Sequence, residues 1–182
     1  MDILVTLNKK YLPQLKVMLT SLRDSNPDVA YVIHVVSLDI FQSDLEALAQ
    51  TLDLKFAFYR YSNHELAAAK TTYRYPQEIY YRLFAISYLP ADISRILYLD
   101  PDLVILKSLK PLYELPFDDS YYIGATNISV VLTRINQIRN KASKDAHYLN
   151  TGVLLINLDL LRKEQNLKQL SDYIIKHSSQ LI

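Results

Sequence analysis

Arg95-Ile96-Leu97-Tyr98-Leu99-Asp100-Pro101-Asp102-Leu103-Val104-Ile105 sets two carboxylates directly behind a short apolar run. Such a run bounded by Asp-Pro reads as a buried strand, and Leu103 to Leu106 reads as a second one beyond the break. In open α/β sheets ligands gather outside the carboxyl ends of strands, so Asp100 and Asp102 mark a candidate site. In extended backbone, residues two apart face one side with α-carbons about 7 Å apart. Two carboxylates can then converge on one hard cation, and Pro101 stiffens the link. The alternative stands beside it: fourteen aspartates in 182 residues supply about one D-x-D by chance, and Asp-Pro is ordinary turn chemistry.

Outward from this run, strands and helices alternate. Ile3 to Leu7 opens the chain as a strand, and Pro13 suits a first helical position. Leu12, Leu15, Met18, Leu19 and Leu22 then recur at helical spacing until Asn26-Pro27-Asp28 breaks the pattern. Ala30 to Ser37 and Lys55 to Tyr59 read as strands. Between them Ser43 and Glu46 form a capping box that starts a helix reaching Thr51. A helix begun by Pro76 carries Ile79, Leu83 and Ile86 to Pro90. Tyr121 to Thr126 and Val153 to Asn157 add strands, with helices over Ser129 to Lys141 and much of Leu160 to His177. The alternation predicts an α/β fold with a mostly parallel sheet covered by helices on both faces. At 182 residues, 1–182 is one domain.

Composition closes several routes. Twenty Lys and Arg against nineteen Asp and Glu argue against a nucleic-acid partner. No cysteine means no thiolate nucleophile and no Cys-ligated metal. The two glycines, Gly124 and Gly152, cannot make a G-x-G-x-x-G turn, a Walker A loop or a G-x-S-x-G elbow. A nucleoside diphosphate held here would need a bound cation, a basic side chain or a helix N-terminus. Met1 to Lys10 lacks the character of a signal peptide. Uncharged stretches such as Ala146 to Leu158 are too short to span a bilayer.

Arg82, after Tyr80-Tyr81, could meet a phosphate, or pair with Glu78 one turn earlier as a surface ion pair. Tyr73, Tyr75, Tyr80 and Tyr81 could line a sugar site or form an amphipathic core edge. Asn150-Thr151-Gly152 presents an amide at the entrance to a strand, or makes a plain turn. His34, His64, His147 and His177 lack metal-ligand spacing.

Tyr80-Tyr81-Arg82-Leu83, Arg95 to Ile105, Leu109-Lys110-Pro111-Leu112-Tyr113 and Asn150-Thr151-Gly152-Val153-Leu154-Leu155-Ile156-Asn157 together resemble glycosyltransferase family 8. Within it they are similar to the bacterial lipopolysaccharide galactosyl- and glucosyltransferases. The order holds from Ile3-Leu4-Val5-Thr6-Leu7 and Tyr11-Leu12 to the helix after Asn157. The resemblance implies a Rossmann-like, GT-A-type nucleotide-diphospho-sugar transferase fold, a UDP-hexose donor, Mn²⁺ or Mg²⁺, and transfer to a saccharide acceptor with retention. By position, Asp100 and Asp102 would ligate the metal, Pro101 would border the donor, Arg82 would contact it, and Asn150 would lie near the transferred sugar. Thr6, Asn8 and Tyr11 would approach the uridine.

The sequence departs from the family at Asn8, usually Asp, and at Lys10, often Asn. Family members continue past the position of Ile182 to an Asp-Gln-Asp segment and a metal-binding His. The expectation is therefore a donor-binding domain truncated before its acceptor side, cytoplasmic, peripheral at the inner membrane face through residues absent here, and open to homo-oligomerisation. Two other readings stay open. One is a non-catalytic nucleotide-sugar-binding or partner-binding module. The other is a nucleotidyltransferase, although Thr6 to Tyr11 lacks the glycine-rich phosphate loop such enzymes use.

Overall fold

The structure, a computed structural model, describes residues 1–71, 77–126 and 149–181. Six strands form one sheet: β1 (Asp2–Thr6), β2 (Val32–Ser37), β3 (Lys55–Arg60), β4 (Arg95–Leu99), β5 (Tyr122–Gly124) and β6 (Val153–Asn157). Their order is β3-β2-β1-β4-β6-β5. The first four are mutually parallel, while β6 runs antiparallel to both β4 and β5. The sheet is thus mixed, parallel over β1 to β4 and antiparallel at both edges of β6.

Side chains alternate across this sheet as period two requires. Ile3, Val5, Ile33, Val35, Leu97, Leu99 and Leu155 face one layer, where they meet α1 (Leu12–Ser25) and α2 (Gln42–Leu52). Leu4, Val36, Ile96, Tyr98, Leu154 and Ile156 face the other, against Tyr81, Ala85, Leu158 and Leu161. These last come from α3 (Glu78–Tyr81), the 3₁₀ helix Arg82–Ser87 and α5 (Leu158–Glu164), which follows the short α4 (Lys110–Tyr113). Leu15, Met18, Leu19 and Leu22 of α1 are fully buried, each contributing about 2 kcal/mol of transfer free energy.

Several local expectations change. The chain turns at Pro101-Asp102, and Leu103 to Leu106 is not a strand. Instead Ile105 is buried in the core with Leu103 packed partly buried against it, the Ile105 amide donating to Ser21 Oγ at 2.9 Å and its carbonyl accepting from Ser25 Oγ at 2.7 Å. The segment is spent on packing against α1, so it has no free edge to pair. α2 has its cap two residues early, at Phe41 in place of Ser43, and is capped by Asp44, whose carboxylate accepts the Phe41 amide at 3.0 Å. Lys9 bonds the same oxygen, and these bonds hold the Asp44 carboxyl below its usual range. Beyond β6 the chain makes two helices, α5 and α6 (Leu167–Leu181), each started by an asparagine: Asn157 caps Leu160 and Asn166 caps Gln169. The expected helix Ser129 to Lys141, and Tyr73, Tyr75, Pro76 and His147, lie outside the described residues. No helix among the described residues is long and apolar enough to cross a membrane.

Candidate active site

The sheet reverses its winding between β1 and β4: β2 and β3 extend to one side of β1, and β4, β6 and β5 to the other. At such a switch point the loops leaving adjacent parallel strands diverge and open a crevice at their carboxyl ends. Thr6 closes β1 and Asp100 follows β4, so both stand at this opening. Because β6 is antiparallel to β4, its start lies at the same end. Leu99 pairs with Val153, and the Asp100 amide donates to the Gly152 carbonyl at 2.8 Å. The register therefore carries Asn150-Thr151-Gly152 to Asp100.

Asp100 is the centre of a bonded cluster. Tyr98 lies two residues earlier on the same strand face, and its hydroxyl donates to Asp100 Oδ1 at 2.6 Å. Burial pushes the Tyr98 hydroxyl well above the ordinary tyrosine range, with the Arg82 charge opposing and the Asp100 charge reinforcing the rise. It stays a donor. Arg82 is buried; its Nη1 lies 3.3 Å from Asp100 Oδ1 and also bonds the Thr151 carbonyl, while its Nε donates to the Ile79 carbonyl at 2.9 Å. The guanidinium stacks 4.3 Å from the centre of the Tyr98 ring. This overturns the surface pairing with Glu78: Arg82 points into the crevice wall and ties β4 to the turn before β6.

Gly152 is required by this contact. A Cβ there would lie 2.7 Å from Asp100 Oδ2 and 3.3 Å from Asn150 Oδ1. Asn150 is exposed, and its side-chain oxygen accepts the Gly152 amide at 2.9 Å. Thr6 is buried; its hydroxyl donates to the Glu78 carbonyl at 2.9 Å and lies 3.3 Å from Tyr98 Oη. Asn8 caps the 3₁₀ turn Lys9–Tyr11 through the Lys10 amide, and Tyr11 packs partly buried on the first core layer. Glu78 is half-buried. Burial raises its carboxyl, its own amide opposes the rise, and the charge of Asp39 adds to it.

Asp100 Oδ2 carries no hydrogen bond among the described residues, and the neighbouring turn puts Pro101 in the interior and Asp102 in solvent. The two carboxylates therefore do not share a strand face. No group of three acidic or histidine side chains suited to a metal occurs among the described residues. An unbonded carboxylate oxygen on Asp100 beside an exposed Asp102 fits a divalent ion that completes its shell with phosphate oxygens and water.

Sequence reasoning singled out Thr6, Arg82, Asp100 and Asn150, and the structure gathers these around one opening. It leaves Asn8 and Tyr11 on the adjoining turn. Tyr98 and Glu78 are contributors to this opening that the spacing does not assign, and Gly152 enters the sequence reading only within the Asn150-Thr151-Gly152 turn. Tyr98 had a signal in its i, i+2 relation to Asp100. Gly152 had none without the β4–β6 register. His34, in β2, is buried away from this opening, between Asp2 Oδ1 at 2.8 Å and Tyr59 Oη at 3.0 Å.

A mixed Rossmann-like sheet flanked by helices, with an aspartate-bearing turn at its switch point, is the GT-A-type architecture of glycosyltransferases. The chain belongs to glycosyl transferase family 8, whose profile matches residues 2–181. It is 28% identical over 166 residues to a lipopolysaccharide 1,2-glucosyltransferase of Escherichia coli, an alignment covering 88% of this chain and 48% of that protein. It is 26% identical over 171 residues to a lipopolysaccharide 1,3-galactosyltransferase of Salmonella typhimurium, covering 87% and 48%. The chain thus spans about half the length of the curated relatives it matches. Among solved structures, the galactosyltransferase LgtC in complex with donor and acceptor sugar analogs superposes with a TM-score of 0.85 at 26% identity, over 100% of this chain and 66% of that one. Mouse xyloside xylosyltransferase 1, at 19% identity and a TM-score of 0.65, shares the fold.

Proposed function

We propose that this chain is the donor-binding part of a metal-dependent retaining hexosyltransferase that takes a hexose from a UDP-sugar and passes it to a saccharide acceptor. The observation that supports this most is the Tyr98–Asp100–Arg82–Gly152 cluster at the switch point, in which Asp100 Oδ1 is bonded and Oδ2, packed beside Gly152, carries no hydrogen bond among the described residues. Asp100 and Asp102 would hold Mn²⁺ or Mg²⁺, which when bound neutralises charge on the departing diphosphate. Arg82 and Tyr98 both occupy Asp100 Oδ1, so they fix the carboxylate and leave Oδ2 for the ligand. The exposed Asn150 would offer its side-chain NH₂ as a donor at the sugar end. Thr6, Asn8 and Tyr11 border the nucleoside end of the crevice, and Pro101 shapes the turn between the two carboxylates.

In the transfer, the acceptor hydroxyl forms the new bond to the anomeric carbon on the face that the diphosphate leaves. UDP departs with the electron pair of the broken C–O bond, and the acceptor proton passes to a leaving phosphate oxygen. No protein base is needed at that step. The relatives, a lipopolysaccharide 1,2-glucosyltransferase and a lipopolysaccharide 1,3-galactosyltransferase, set the substrate class to test first.

Thermal unfolding with UDP, with and without Mn²⁺, tests the reading. Ligand at a hundredfold over its dissociation constant adds about 2.7 kcal/mol of stability. A Mn²⁺-dependent rise lost in Asp100→Asn and Asp102→Asn is the expected result. No rise in the parent chain would sink the donor site. Release of hexose from UDP-hexose by the same protein then separates a transferase from a module that only binds.

A further inference from the structure

The outer face of α1 is separate from the crevice and carries an unusual pattern. Lys16, Val17, Thr20, Ser21 and Asp24 line a shallow groove of about 340 Å³. Ile105 anchors its segment to Ser21 and Ser25 and turns inward, which leaves the residues on either side of it facing out. Val104 is 59% exposed, Leu106 81% and Val17 56%. Val17 lines the groove, and Val104 and Leu106 belong to the segment that Ile105 ties to α1 at Ser21 and Ser25, whereas folded chains normally scatter such exposed residues singly.

The charges identify what fits there. Lys16 opens the groove and has no partner among the described residues. Asp24 closes it, with Oδ1 held by the Arg23 guanidinium and Oδ2 left free. Lys16 and Asp24 are separated by eight residues, about 12 Å along a helix, with the small Thr20 midway. A surface with a cation at one end, an anion at the other and a small residue between is its own complement when turned end for end.

We infer that this groove is the contact between two copies of the chain, paired through antiparallel α1 helices about a two-fold axis at Thr20. Residue pairs across such an axis have numbers that sum to a constant, so Lys16 meets the partner's Asp24, and Asp24 meets the partner's Lys16. Val17 lies against the aliphatic stem of the partner's Arg23. Thr20 meets its own counterpart, and its small side chain permits the close approach that helix packing needs. The contact is isologous and closes after two chains, so it does not propagate into filaments. Val104 and Leu106 flank the axis and supply the apolar area. The groove occupies the part of α1 that leads away from β1's carboxyl end, so both crevices stay open.

Sedimentation across a concentration series reads the outcome. The parent chain is expected to move from one chain mass, 21.1 kDa, toward twice that value as concentration rises. Lys16→Glu and Asp24→Lys each set like charges against each other at two points and are expected to remain at one chain mass. The double variant K16E/D24K restores opposite charges and is expected to recover the dimer, a rescue that misfolding cannot imitate. A parent that stays at one chain mass throughout would overturn the inference. So would a dimer indifferent to the single substitutions, which would place the contact on another face.

Discussion

At the scale of single residues, the crevice depends on what crowds Asp100. A Cβ at position 152 would fall inside contact distance of Asp100 Oδ2, and Tyr98 and Arg82 prevent the carboxylate from swinging aside. Gly152→Ala is therefore expected to abolish the Mn²⁺-dependent stabilisation by UDP while the sheet still folds; an unchanged thermal shift would show that Oδ2 faces no ligand. Glu78 gives a pH signature. Its folded-state carboxyl titrates above the unfolded value because burial disfavours the charged form. Its favourable contribution is complete below the unfolded pKa of about 4.3 and is lost as pH rises through the elevated folded value. Glu78→Gln should melt higher than the parent at pH 8, and this advantage should shrink toward pH 4. An advantage equal at both pH values would separate the effect from ionisation.

At the scale of elements, α1 shows how directly periodicity reports burial. Leu12, Leu15, Met18, Leu19 and Leu22 form the stripe read from spacing; the last four are fully buried and Leu12, at the helix start, is partly buried. Leu19→Ala should cost about 2–5 kcal/mol in urea denaturation, whereas Gln14→Ala on the exposed side should stay within about 0.5 kcal/mol. The same logic failed at Leu103 to Leu106, because an apolar run says that something is buried but not against what. Only Ile105 is buried there, on a helix some eighty residues earlier in sequence. The Ser43–Glu46 capping box was a true sign of a helix start but fell two residues off, since the box is Phe41–Asp44 and Lys9, distant in sequence, favours that choice. Arg82 was assigned its local neighbour Glu78 and took a distant one, Asp100, because a buried guanidinium needs a carboxylate and Glu78 lies beside Asp39. Local spacing made the elements legible. Cross-strand register, on which the Gly152 contact and the Arg82 bond to Thr151 depend, is not written in spacing at all.

At the scale of the whole molecule, the antiparallel placement of β6 has a consequence in time. The crevice draws on Thr6, Arg82, Asp100 and Gly152, positions scattered over most of the chain, and its last wall arrives only when β6 docks beside β4. Contacts between such remote positions are reached slowly, because loop closure must precede any gain from them. On a ribosome, β1 to β3 would emerge and could pair while the carboxylate still lacked the turn that frames it. The crevice is thus a late product of assembly, and any ligand it binds can reward a finished chain but cannot help to nucleate one.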